Sequence, residues 1–192
     1  MLSAHVPDCA IALLLAWHCI LRTGELLSIK CSDIAFADDL SSAVLDLGLT
    51  KGSQRRGTKD SVACLLPWLT AALRARTSGL LPGDPFVAGG GPRFRRAFAQ
   101  AVAAVGIAHM SFQPYSLRRG GATALWRQTG ALSLVTIRGR WAHATTARIY
   151  VNDGLARLAE FRVAGPLAAR LEHFALRACT ALRAPATQPL SC

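Results

Sequence analysis

Gly139-Arg140-Trp141-Ala142-His143-Ala144-Thr145-Thr146-Ala147-Arg148-Ile149-Tyr150 is the stretch on which the reading of this chain turns. From about Thr145 it reads as a helix, and it sets an indole N–H donor nine positions before a phenol. The chain holds only two tyrosines. The other, Tyr115, stands in Pro114-Tyr115-Ser116-Leu117-Arg118-Arg119-Gly120-Gly121-Ala122-Thr123. Two arginines open a helix there, beside Gly and Ala residues that permit close packing. A helix start favours anions, because its first amides have no internal partner. Taken singly, either tyrosine reads equally well as a core aromatic, and the arginines as an exposed helix start.

Two further polar segments lie toward the N-terminus. In Leu21-Arg22-Thr23-Gly24-Glu25-Leu26-Leu27 an arginine ends an apolar helix and a carboxylate follows three positions later. A guanidinium in that place is partly buried and must be paired. Glu25 is the local candidate, and the pair by itself is also what a purely structural salt bridge looks like. In Leu49-Thr50-Lys51-Gly52 a lysine closes a strand and enters a turn. Its ammonium can reach a phosphate or protonate a leaving oxygen, although a turn lysine is commonly just solvated.

Composition narrows the partners. Across 192 residues, 22 Lys and Arg face 11 Asp and Glu, a net charge of +11. Such a surface attracts polyanions, chiefly nucleic acid or anionic membrane. Lysine occurs only at 30, 51 and 59, so the charge is mostly guanidinium, which grips phosphate oxygens in a fork. The six cysteines form no CxxC pair and match no zinc module. They predict a reducing, intracellular setting, no structural metal and no cofactor. The most apolar run, Cys9 to Leu21, is shorter than the roughly 20 residues a membrane span needs, so it reads as a buried helix and predicts no membrane association.

The periodicity predicts a mainly α chain with a small antiparallel sheet, an α+β fold. Helices are expected over Pro7 to Leu21, Glu25 to Ile29, Pro67 to about Arg76, Arg93 to Val105, Tyr115 to Gln128, Leu132 to Arg138, and Thr145 to about Val151. Leu45, Leu47 and Leu49 alternate with polar or small residues as in a strand, the run 51–57 is a turn, and Ser61 to Leu66 is the second strand. Thr77 to Pro92, rich in Gly and Pro, reads as a loop. Leu155 to Leu182 is an alanine-rich amphipathic helix interrupted at Gly165-Pro166, and a frayed tail follows.

The order of these segments resembles the tyrosine recombinase, or phage integrase, family: R-x-x-E-L after an apolar helix, a hairpin lysine, [H/Y]-x-L-R, then G-[R/H]-[W/H] with a tyrosine nine residues on. The resemblance covers about Leu13 to Leu158. It implies a catalytic domain over residues 1–163 with a C-terminal helix and tail over 164–192. The N-terminal DNA-clamping domain usual in relatives is expected to be absent, since only a few residues precede the core helix. By the resemblance, Tyr150 attacks the phosphorus, Arg22 and Arg118 bind the scissile phosphate, and Lys51 protonates the leaving 5′ oxygen. Trp141 donates its indole N–H to a phosphate oxygen, and Glu25 supports Arg22. Arg55, Arg56, Arg119 and Arg140 are expected DNA contacts. One position departs from the pattern: the family usually has His three residues before the second arginine, and here that place is Tyr115, a poor base near neutral pH because its ordinary pKa is about 10.

The implied activity is DNA strand cleavage and rejoining through a 3′-phosphotyrosine, as in recombination or integration of mobile elements, on double-stranded DNA. It would proceed wherever the DNA is, nucleus or bacterial cytoplasm, without secretion, and the C-terminal helix could join copies into a homo-oligomer. The alternatives are a DNA-binding domain of this fold with weakened or lost catalysis, and a basic helical interaction protein.

Overall fold

The computed structural model describes residues 7–49, 59–163 and 165–183. Helix α1 (Pro7–His18) runs through the middle of the molecule and is followed by the short α2 (Thr23–Ser28). A three-stranded antiparallel sheet comes next: β1 (Ile34–Phe36), β2 (Ala43–Gly48) and β3 (Asp60–Cys64), in spatial order β1-β2-β3. The remainder is helical: α3 (Pro67–Thr77), α4 (Gly90–Ala104), α5 (Pro114–Thr129), α6 (Leu132–Arg138), α7 (Ala144–Tyr150), α8 (Asp153–Arg162) and α9 (Pro166–Arg183). This is the mainly α architecture with a small antiparallel sheet that the periodicity implies.

Three expectations shift. The sheet has a third strand, β1, which pairs Ile34 with Leu45 and Phe36 with Ala43. Three residues are too few to display alternation, so only the pairing reveals it. The loop expected through Pro92 ends at Gly89, because Gly90-Gly91-Pro92 already form the first turn of α4; proline is tolerated there because that turn's amides need no helical acceptor. The first helix breaks before Leu21: Ile20, buried and β-branched, takes a left-handed φ of 51°. That conformation costs about 1–3 kcal/mol and persists only where surroundings enforce it. The predicted turn at 51–57 and the tail after Arg183 lie outside the described residues.

The main core gathers Ile11, Leu15, Leu26 and Ile29 with Leu45 and Val62 of the sheet, Leu69 and Leu73 of α3, and Phe86 and Phe94. The strands alternate as they must with one face covered: Ala43, Leu45 and Leu47 are buried, and Val44 and Asp46 are exposed. Helix α1 packs on α5, α3 and α4. Its approach to α5 is very close, since a Cβ on Gly121 would stand 2.1 Å from the Trp17 carbonyl oxygen. A second, smaller core holds Ile20, Ala122, Val135, Trp141 and Ala147, with Tyr150 packed against it. The C-terminal helix α9 lies on α3 of its own chain, and Arg170 Nη2 donates to the Ala104 carbonyl at 2.9 Å.

Candidate active site around Tyr150

The second core is where the polar segments meet. Arg118, in the first turns of α5, is fully buried. Its Nη1 donates to the carbonyl of Ile20 and its Nη2 to that of Gly139 at 2.7 Å. The strained turn after α1 therefore has a purpose within the packing: it aims a carbonyl at a buried guanidinium. The same guanidinium stacks under two rings, 4.6 Å from the Trp141 centroid and 5.5 Å from that of Tyr150. Trp141 and Tyr150 pack on each other with centroids 4.6 Å apart. Gly139 makes this possible, because a Cβ there would meet the Trp141 ring at 1.9 Å.

Glu25 ties the arginines together from below. Its carboxylate accepts from the Arg22 side chain and, at 2.8 Å, from the Arg22 backbone N–H. It accepts from Arg140 Nη2 at 2.6 Å and lies 3.9 Å from Arg118 Nη1. Burial pushes the carboxyl upward, but the Arg140 charge and the Arg22 hydrogen bonds outweigh it and hold Glu25 below the usual carboxylate range. Burial, then the charge of Arg22, pulls Arg118 down to about 10, which still leaves it a cation near neutral pH.

The two tyrosines also meet. The Tyr115 hydroxyl donates to the Tyr150 hydroxyl at 2.6 Å. Burial raises the Tyr150 phenol, yet the Tyr115 hydrogen bond, the Arg118 charge, the Trp141 indole and the Arg22 charge together bring it below the ordinary tyrosine value. Tyr115 moves the other way, pushed up to about 12 by burial and by its bond to Tyr150.

Arg22, Glu25, Arg118, Trp141, Tyr115 and Tyr150 thus converge. Lys51, Arg55 and Arg56 lie outside the described residues. Arg119 is exposed, with Nη2 at 3.5 Å from the Ile149 carbonyl oxygen. The expectation for Arg140 needs correction. Its side chain is only 6% exposed, and it bonds Glu25 and the carbonyls of Cys19, Ile20 and Arg138, so it braces the site from inside instead of facing DNA. Its backbone is left-handed, with φ 57°, which turns the side chain inward. Neither the Ile20 and Gly139 carbonyls nor this inward turn carried a sequence signal. The meeting of the tyrosines did carry one, since the only two in the chain fall in the two motifs.

Chemically, this is a buried cluster of guanidinium groups with a phenol packed at its edge. Three N–H donors among the described residues, Arg118 Nε, Arg140 Nε and Trp141 Nε1, are buried without a hydrogen-bond acceptor in good geometry. Buried donors normally have partners, so such atoms beside a cationic cluster suit an incoming anionic oxygen. A groove of about 790 Å³ opens beside Tyr150, lined by Trp17, Phe98, Leu117, Leu155 and Ala159. Its walls are mainly apolar, with Arg119, Arg127 and Arg162 among them. The described residues contain no group of three or more His, Cys, Asp or Glu placed to hold a metal. No described helix is long and apolar enough to cross a membrane.

The mainly helical architecture with a small three-stranded antiparallel sheet matches the tyrosine recombinase fold. Among solved structures it is similar to the XerH site-specific recombinase bound to difH substrate in a pre-cleavage complex, with a TM-score of 0.64, 19% identity, and coverage of 85% of this chain and 48% of that one. It is equally similar to XerH bound to palindromic difH in a post-cleavage complex, with a TM-score of 0.64, 18% identity, and coverage of 85% and 47%. The chain therefore spans about half the length of these recombinases. No family model matches the sequence, and no curated protein matches it.

Proposed function

We propose that this chain is the catalytic portion of a DNA strand-cutting and rejoining enzyme that works through a 3′-phosphotyrosine. The observation that carries this reading is the Tyr150 phenol packed against the buried Arg118 guanidinium and the Trp141 indole, each of which has a buried N–H without an acceptor in good geometry. The XerH complexes support it by analogy, since XerH is a recombinase bound to its DNA substrate.

A phosphodiester repels an oxygen nucleophile, and its nonbridging oxygens gain charge in the pentacoordinate transition state. Arg22, Arg118 and Trp141 would neutralise that charge from fixed positions. Tyr150 would attack the phosphorus, forming the phenol–phosphorus bond as the bond to the 5′ oxygen breaks, with Lys51 supplying that oxygen's proton. The covalent ester preserves the bond energy, so rejoining needs no nucleotide cofactor.

The test is covalent trapping on a nicked suicide duplex, read on a denaturing gel, with the modified peptide mapped by mass spectrometry. Wild type should yield an adduct on Tyr150, and Tyr150→Phe should bind the duplex without forming one. Salt-sensitive binding with no adduct on the cognate site would favour the catalytically silent DNA-binding domain. No binding at low salt would favour a basic interaction protein. The proposal extends to assembly: α9 would join copies on DNA, and a mass independent of dilution and of DNA would argue against that part.

A further inference from the structure

We propose that Tyr115 is the hydrogen-bond donor that favours the phenolate, nucleophilic form of the Tyr150 oxygen, taking a place on the reacting atom itself instead of on the phosphate. This deepens the reading of Tyr150 as the nucleophile and rests on it. The geometry is direct: the two hydroxyl oxygens are 2.6 Å apart, with Tyr115 donating, and the rings lie 6.0 Å apart and tilted by 59°. Helix α5 carries Tyr115 and Arg118 on adjoining turns, so one rigid element presents a neutral donor and a cation to the same phenol. A distance of 2.6 Å is a close, direct O–H···O hydrogen bond with no room for an intervening water.

The electrostatic setting explains which oxygen gives up its proton. Tyr150 faces Arg118 from α5, Arg22 from the link between α1 and α2, and the Trp141 indole from the link between α6 and α7, all of which favour its anion. Tyr115 also faces Arg118 and Arg119, but burial of its hydroxyl, its bond to Tyr150 and the charge its anion would share with that of Tyr150 oppose its ionisation. The pair therefore ionises first at Tyr150, with Tyr115 still protonated as the donor. The Tyr150 proton passes to solvent. When the phenolate attacks, its lone pair becomes the new oxygen–phosphorus bond and the Tyr115 bond weakens. When the DNA strand is rejoined, that bond breaks, the electron pair returns to Tyr150, and Tyr115 again stabilises the departing phenolate. A residue that is a poor base is thus suited to this position, because it is asked only to donate.

The experiment uses the fact that these are the only two tyrosines in the chain. Near-ultraviolet tyrosinate absorbance of the DNA-free protein then reports this pair alone, with far-ultraviolet circular dichroism marking any alkaline unfolding. Wild type should titrate in two separated steps, the first below the ordinary value of about 10. In Tyr115→Phe the remaining step should move up by about one pH unit, with adduct formation near neutral pH falling about tenfold and its pH profile moving up in parallel. Tyr115→His, which restores a donor, should recover most of both. Tyr115 is 45% exposed, so Phe fits without disturbing the core. An unchanged Tyr150 midpoint in Tyr115→Phe overturns the proposal, whatever the adduct assay shows. A midpoint that moves while wild type forms no adduct upholds the pair and refutes the nucleophile reading instead.

Discussion

Arg140 reaches across 115 positions of chain to place Nη2 2.6 Å from Glu25 Oε2, with both side chains 6% exposed. Glu25 is thereby the one carboxylate shared by Arg22, Arg140 and Arg118. Neutralising it leaves three guanidinium groups facing one another at a buried point. Glu25→Gln should cost about 3–5 kcal/mol in chemical denaturation, as breaking a buried ion pair does. A loss below 1 kcal/mol would mean that solvent already screens the cluster.

The backbone at Arg140 offers a separate check. A left-handed φ of 57° penalises any side chain by about 1 kcal/mol relative to glycine. Arg140→Ala keeps that penalty and loses the Glu25 bond, whereas Arg140→Gly loses the bond and relieves the penalty. Glycine should therefore be the more stable replacement by about 1 kcal/mol, seen as a melting temperature about 2–4 °C higher. The reverse order would show that this turn is not held left-handed in solution.

Close packing of α1 on α5 makes Gly121 intolerant of a methyl group. The atom in the way is the Trp17 carbonyl oxygen, which is backbone and cannot rotate aside. Gly121→Ala should lower stability by about 1–3 kcal/mol. Because Arg118 lies one turn earlier on the same helix, the substitution should also weaken any DNA adduct. Thermal melting checks the first effect, and a variant that melts with wild type would contradict the packing.

Acid should weaken the fold through two carboxylates. Glu25 and Asp8 are both held below their ordinary values; burial opposes this in each, but Arg140 with Arg22, and Arg93 with backbone amides, prevail. A depressed folded-state pKa means that the stabilisation is present above the unfolded value of about 4, and is lost as pH falls through the folded value. Denaturation midpoints should thus drop below about pH 4, and Glu25→Gln should make the drop shallower.

Duplex binding distinguishes the two arginines that the sequence could not. Arg119→Gln removes an exposed charge and should reduce the slope of log affinity against log salt by about one. Arg140→Gln removes a buried one that is already neutralised by Glu25 and should leave the slope unchanged. Equal effects from both would place Arg140 on the DNA surface after all.

Much of this molecule is legible in one dimension because its signals are local. Alternation at Leu45 and Leu47 reports a half-covered strand, the apolar run from Cys9 reports a core helix, and Arg22 with Glu25 reports a pair within one turn. The order of the four polar segments is itself local information, repeated four times, and it was enough to anticipate the fold. What the linear chain could not carry was direction. Whether Arg140 points out or in depends on a left-handed turn and on a carboxylate more than a hundred residues away. Ile20 matters for its carbonyl, a group every residue has, and β1 exists only because β2 lies beside it. Nor does spacing say that the phenols of Tyr115 and Tyr150 come within a hydrogen bond of each other. Periodicity records which face of an element is buried, but contacts between distant elements arise only when the faces are packed, and there the position of every guanidinium and hydroxyl was decided.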